Sequence, residues 1–252
     1  MTNDTSVLED PYAQSKTTVT EIAPGIHRIA TSVPPKHFPG GFSYGQFLIM
    51  DKEPLLFHCG GRRLFSCTLR GIEELLPISE LRWLSFGHGE SDESGAMNEI
   101  LTAAPDCEVV VGQMLANLVV EDAAIRPPRV LQHRETMKLG EHEIMWLDTP
   151  HLPHNWEAGL LFETTSRTLM CGDLFTQFGE EHPPLTTEDI LAPSEAVRAR
   201  VPFYSNPNGA RPILEELADL KPAYLATMHG PTWQGDGATM LRRLAEVLEA
   251  SD

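Results

Sequence analysis

The sequence has no apolar run approaching the roughly 20 residues that cross a bilayer. Its opening stretch, MTNDTSVLEDPYAQSK, lacks a basic start followed by an apolar segment. Neither a membrane span nor a secretory leader is therefore expected. Cysteine is scarce: Cys59, Cys67, Cys107 and Cys171 are widely spaced, with no CxxC pair. They read as reduced, mostly buried thiols of a cytoplasmic protein. Positive charge is also short, with 19 Lys and Arg against 36 Asp and Glu and a formal net charge of −17. That balance argues against nucleic acid and anionic membrane surfaces as partners. The acids are spread along the chain, as on a solvated surface. Repeats, low-complexity segments and long linkers are absent. The Pro- and Gly-rich stretches 32–45, 125–130 and 203–212 are short. With 252 residues, 41% of them hydrophobic, the chain is expected to form a polar, frayed tail over 1–17 and one domain over 18–252.

What is present alternates between strands and helices. TVTEIAPGIHRIAT reads as two β runs around a Pro–Gly turn, and YGQFLIM and PLLFHCG pair around Asp51 and Lys52. LFSCTLRGIEELL has helical periodicity, LRWLSF is a short buried strand, and SGAMNEILTAA is a helix with Ser91 or Ser94 as N-cap. CEVVVG, HEIMWLDTP, AGLLFET, TLMCGDLF and PAYLATMHG read as strands. EDILAPSEAVRARV, ARPILEELADL and DGATMLRRLAEVLEA read as helices. Strands grouped with helices between and after them fit an α/β layered domain.

Four of these strands end on a residue able to bind a metal. LRWLSFGH delivers His88, HEIMWLDTPHLPH delivers His151 or His154, TLMCGD delivers Asp173, and YLATMH delivers His229. Rigid strands that end in loops hold ligands in place. After His88, the stretch GHGESDESGAM adds Glu90, Asp92 and Glu93 within five residues. Alone, that run also fits an acidic helix start. The three matching strand ends downstream favour a metal site.

The order H-x-E-x-D, a middle histidine, an aspartate 19 residues later and a late histidine resembles the metallo-β-lactamase superfamily. With Glu90 where the zinc hydrolases carry histidine, the resemblance is to the di-iron branch, the flavodiiron and oxygen-binding di-iron proteins. It implies an αββα sandwich of two mixed sheets with helices on the outer faces. It implies His88 and Glu90 on one metal, Asp92 and His229 on the other, His154 as the middle histidine ligand, and Asp173 bridging both. His154 has the better spacing to Asp173; His151 is then a pocket residue. The family's histidine after the aspartate is Glu93 here, which either binds as a carboxylate or leaves the position open. His58 sits where the superfamily has an aspartate that orients a ligand. It reads equally as an orienting residue or as a satisfied core histidine. Tyr44, Phe42, Trp156, Phe175 and Tyr204 are candidates to line the pocket, and His27, His37, His133, His142 and His182 read as surface. Loop 32–45 and the stretch 180–207 are expected at the pocket mouth.

The carboxylate-rich donor set suits iron, with zinc or manganese as alternatives. The resemblance therefore implies a non-haem di-iron protein that binds or reduces O2 or NO. The chain ends soon after His229, so no flavodoxin-like domain and no flavin are expected in it, and electrons would come from an external donor. The other readings are a dinuclear hydrolase acting on an ester, thioester, lactone or phosphodiester through a metal-bridging hydroxide, and a non-enzymatic oxygen sensor. The fold commonly forms homodimers, although no apolar stripe in the sequence identifies an interface.

Overall fold

A computed structural model describes residues 15–36 and 40–250. Most of the expected tail, residues 1–14, and His37 lie outside the described residues. Among the described residues, fourteen strands form two seven-stranded mixed sheets. The first contains β1 (Thr17–Ala23), β2 (Ile26–Val33), β3 (Phe42–Ile49), β4 (Leu55–Phe57), β5 (Trp83–Ser85), β6 (Glu108–Gly112) and β7 (Arg129–Leu131), side by side in sequence order. β1 to β4 are antiparallel meanders, and β4 to β7 run parallel. The parallel half needs crossovers. Helix α1 (Phe65–Glu73) joins β4 to β5, and α2 (Met97–Ala103) joins β5 to β6. Ser91 and Ser94 do not cap α2: they belong to a separate turn of helix, Ser91–Ser94, and the Ser94 hydroxyl donates back to the Glu90 carbonyl.

The second sheet contains β8 (Thr136–Lys138), β9 (Glu143–Asp148), β10 (Gly159–Glu163), β11 (Thr168–Met170), β12 (Leu185–Thr186), β13 (Tyr224–Ala226) and β14 (Thr232–Gln234). Their order is β12-β14-β13-β11-β10-β9-β8. Helices α3 (Leu191–Arg198), α4 (Ala210–Asp219) and α5 (Gly237–Glu249) bury apolar stripes in the same core cluster as this sheet. Asp236 caps α5 by accepting the Thr239 N–H. The result is an αββα sandwich. Short strands of two or three residues (β7, β8, β12, β14) extend both sheets, and residues 113–123 form a further helical stretch. All four cysteines are buried and free. No described helix is long and apolar enough to cross a membrane.

The two sheets meet through Trp146 of β9, which is fully buried. A Cβ added at Gly112 of β6 or Gly159 of β10 would come within 2.1 Å of its indole, so only glycine lets the ring lie there. The indole Nε1 donates to Asp148 at 2.8 Å. Gly159 N–H donates to the Gly87 carbonyl at 2.8 Å, which joins β10 directly to the loop after β5.

Candidate metal centre

That loop and three others converge at one end of the sandwich. His88, Glu90 and Asp92 follow β5 in the first sheet. His154 lies between β9 and β10, Asp173 follows β11, and His229 follows β13, all in the second. One ligand atom each from His88, Glu90, His154 and Asp173 lie within 4.8 Å of one another. Glu90 Oε2 is 3.0 Å from His88 Nε2 and 2.9 Å from His154 Nε2. Asp173 Oδ2 is 3.7 and 3.5 Å from the same two nitrogens. On its other side, Asp173 Oδ1 is 3.1 Å from His229 Nε2, which is 3.2 Å from Asp92 Oδ2. Asp173 thus gives one oxygen to each of two clusters.

Each histidine is held through Nδ1 and presents Nε2. His154 Nδ1 donates to the Phe203 carbonyl at 3.0 Å and His229 Nδ1 to the Ser43 carbonyl at 2.8 Å. His88 Nδ1 lies 3.3 Å from Glu93 Oε1. This is how protein metal sites fix the tautomer and aim of an imidazole ligand. Asp92 Oδ1, Asp173 Oδ1 and Glu93 Oε1 are buried without a hydrogen-bond partner, the last flanked by the His58 and His88 imidazoles. Buried carboxylate oxygens in that state call for a cation. The donor set of nitrogens and hard oxygens therefore fits metal ions.

The electrostatics agree. Burial alone would lower the His88 imidazole, but Glu93, Glu90 and Asp173 outweigh it and push it up to about 12. Burial likewise works against His229, and Asp173 and Asp92 raise it to about 10. His154 is also raised, with Glu90 overcoming its burial. Its hydrogen bonds to His154 and His88 hold Glu90 well below the usual carboxylate range. Without an ion, protons on the imidazoles balance the carboxylates; an ion would take their place.

Phe42, Tyr44, Phe178, Val197, Val201 and Phe203 wall a cavity of about 330 Å³ beside the cluster. Phe42 stacks on His229 with ring centroids 4.2 Å apart, and Tyr44 meets it edge-on at 5.3 Å. Stretches 32–45 and 180–207 thus contribute to the mouth as anticipated. Three aromatic candidates do not line it. Phe175 is buried in the core between the second sheet and its helices, and Trp156 is 60% exposed. His151 sits on an exposed, left-handed turn residue outside the cluster, so His154 is the histidine that faces Glu90. Tyr204 is buried with its hydroxyl unpartnered and is absent from the cavity wall. His142 is not a plain surface residue: its Nδ1 lies 2.9 Å from the buried Glu163 carboxylate.

Glu93 joins neither cluster. In a helical turn, neighbouring side chains point about 100° apart. Asp92 faces the cavity, whereas Glu93 turns into the core and is completely buried. Its Oε2 accepts the N–H groups of Gly87 (2.7 Å) and His88 (2.8 Å), and its Oε1 lies 3.1 Å from His58 Nε2. His58, also fully buried, approaches the Gly45 carbonyl through Nδ1 at 3.3 Å. Despite its burial, Glu93 is held well below the usual carboxylate range by His58 and His88.

Longer proteins share this sequence pattern. Putative diflavin flavoprotein A 2 of a Synechocystis species is 26% identical over 198 residues, 77% of this chain but 34% of the relative. Rubredoxin-oxygen oxidoreductase of Megalodesulfovibrio gigas is 22% identical over 211 residues, 78% of this chain and 50% of the relative. The chain thus spans a third to a half of the length of these two curated relatives. Among solved structures, a fragment of putative diflavin flavoprotein A 5 from a Nostoc species superposes with a TM-score of 0.81 at 15% identity, covering 94% of this chain and 96% of the fragment. Rubredoxin oxygen:oxidoreductase from Desulfovibrio gigas does so with a TM-score of 0.79 at 19% identity, covering 92% of this chain and 62% of that one. The fold is therefore that of the flavodiiron metallo-β-lactamase-like core. The family model described as ODP family beta lactamase matches residues 42–230, most of the sequence and every candidate ligand, so the chain belongs to that family.

Proposed function

We propose that this protein is a non-haem di-iron protein that binds or reduces a small oxidant, O2 or NO, with electrons supplied by an external donor. The observation that carries the reading is Asp173, with one oxygen facing His88, Glu90 and His154 and the other facing Asp92 and His229. The first group would hold one iron and the second group the other, with Asp173 shared. When bound, the irons supply the redox chemistry that side chains lack. The chain's own residues do the rest. Ser43 and Phe203 carbonyls and Glu93 aim the three imidazoles. The aromatic and aliphatic wall gives the site an apolar side on which a weakly polar ligand can rest. Glu90 supports iron over zinc, because it adds a hard carboxylate where zinc hydrolases use imidazole. The relatives named above as a rubredoxin-oxygen oxidoreductase and diflavin flavoproteins support the same chemistry and an outside source of electrons.

Elemental analysis together with absorption spectra before and after air reaches the reduced protein tests this. Iron at about two per chain under saturating iron and an oxygen-dependent visible band are expected. Two zinc ions, no band and esterase turnover would replace it with the hydrolase reading.

A further inference from the structure

The inward face of the Ser91–Ser94 turn makes the two halves of this centre unequal. Resting on the ligand assignment above, we propose that Glu93 is not a metal ligand but, with His58, a buried positioning pair behind His88. The second ion position then has only three protein ligands, Asp92, Asp173 and His229. The first ion would be held by four protein ligands and the second by three, so the second would exchange more readily.

Three separate segments are shaped around Glu93 in its inward position: residues 58–59, residues 87–88 and Gly172. The amides of residues 87 and 88 donate to one oxygen. His58 and His88 flank the other at 3.1 and 3.3 Å. Gly87 and Gly172 leave the space: a Cβ there would lie 3.1 Å from Glu93 Oε2 and 3.0 Å from Oε1, respectively. The turn itself is pinned by Cys59 N–H donating to the Glu93 carbonyl at 2.8 Å. Swinging the carboxylate out to the second cluster would strand two buried amides at once and take the carboxylate away from His58. Among the described residues, the imidazole–carboxylate contacts of Asp92 and His229 end at each other and at Asp173.

The two departures noted in the sequence are thus one exchange. Where the superfamily has an aspartate at position 58 and a histidine at position 93, this chain has histidine and glutamate in contact. In this chain the two positions form a buried acid–imidazole pair. The acid now lies against His88 Nδ1, and the imidazole is buried behind it, with both nitrogens directed away from the second cluster.

The test is iron stoichiometry in the full chain. Metal-free protein would be titrated anaerobically with Fe(II) against a competing chelator, then desalted and analysed for iron. Two binding steps differing at least tenfold, with about one iron per chain surviving desalting, are expected. A single step that retains two irons would overturn this inference while leaving the di-iron reading intact; no bound iron would overturn both. Glu93→Gln should weaken the first step about 10–100-fold, the usual effect of removing a residue that orients a ligand, and leave the second step in place. Loss of the second step alone would show that Glu93 is a ligand after all. The double variant Glu93→His with His58→Asp should hold its second iron through desalting. If it folds and still loses that iron, the exchange does not set the asymmetry.

Discussion

Glu163 ends β10, and its carboxylate is fully buried beneath the turn that leads to β11 and on to Asp173. It accepts from Thr165 N–H (2.9 Å), Ser166 N–H (2.7 Å) and the Ser166 hydroxyl, and it meets His142 Nδ1 at 2.9 Å. In Glu163→Gln an amide NH2 must face at least one pair of these donors. The Ser166 hydroxyl can rotate away, so one or two buried donors are left unpaired, at about 1–3 kcal/mol each. A loss of about 3 kcal/mol follows. In a chain of this size that lowers Tm by roughly 6–12 °C. The pH dependence has a definite sign. Burial would raise the Glu163 carboxyl, yet Ser166, His142 and Thr165 together bring it below its ordinary value. A carboxyl depressed on folding adds stability above the unfolded value of about 4.3 and loses it as pH falls through the folded value. The gap between wild type and Glu163→Gln in urea unfolding should therefore be full at pH 7 and shrink below pH 4. Iron stoichiometry at 20 °C should stay unchanged, because the β10–β11 ladder still sets the register. A gap under about 0.5 kcal/mol at pH 7, or one that persists undiminished in acid, would refute the reasoning.

Other perturbations probe the site and its supports. Asp173→Asn removes the shared carboxylate, and in excess Fe(II) the variant should bind at most one iron per chain by elemental analysis; two would show that the bridge is misassigned. Gly159→Ala would place a methyl group 2.1 Å from Trp146, and should cost about 3 kcal/mol or more in denaturant unfolding with a changed tryptophan emission. Arg126→Met removes the guanidinium that donates to the Leu101, Ala104, Pro105 and Cys107 carbonyls at and beyond the C-terminal end of α2, for a loss of about 1–3 kcal/mol in the same assay.

The αββα arrangement and the residues that converge were legible because each depends on a pattern that survives in one dimension. An apolar run followed at once by His or Asp marks a strand end whatever its neighbours, and four such ends exposed the centre. Orientation within a single helical turn does not survive in that way. Asp92 and Glu93 are adjacent carboxylates, and only the amides of residues 87 and 88 and the space beside Gly172 decide which one turns inward. Phe175 and Trp156 failed as pocket residues for a related reason, since an aromatic beside a ligand loop packs wherever the core has room. His142 looked like a surface residue because its partner, Glu163, is 21 positions away. The shortest strands were missed because two or three residues cannot display an alternation.

The candidate ligands come from both layers of the sandwich, three from the loop after β5 and three from loops of the second sheet. Ions bound under the proposed assignment would act as a clasp across the open end of two stacked plates. Loading would then do more than enable chemistry. It would join the halves into one cooperative unit, because ligands that bind only the folded state add their binding energy to its stability. A chain starved of iron would part first along that edge and be the one most exposed to proteolysis, so the lifetime of the protein would track its metal supply.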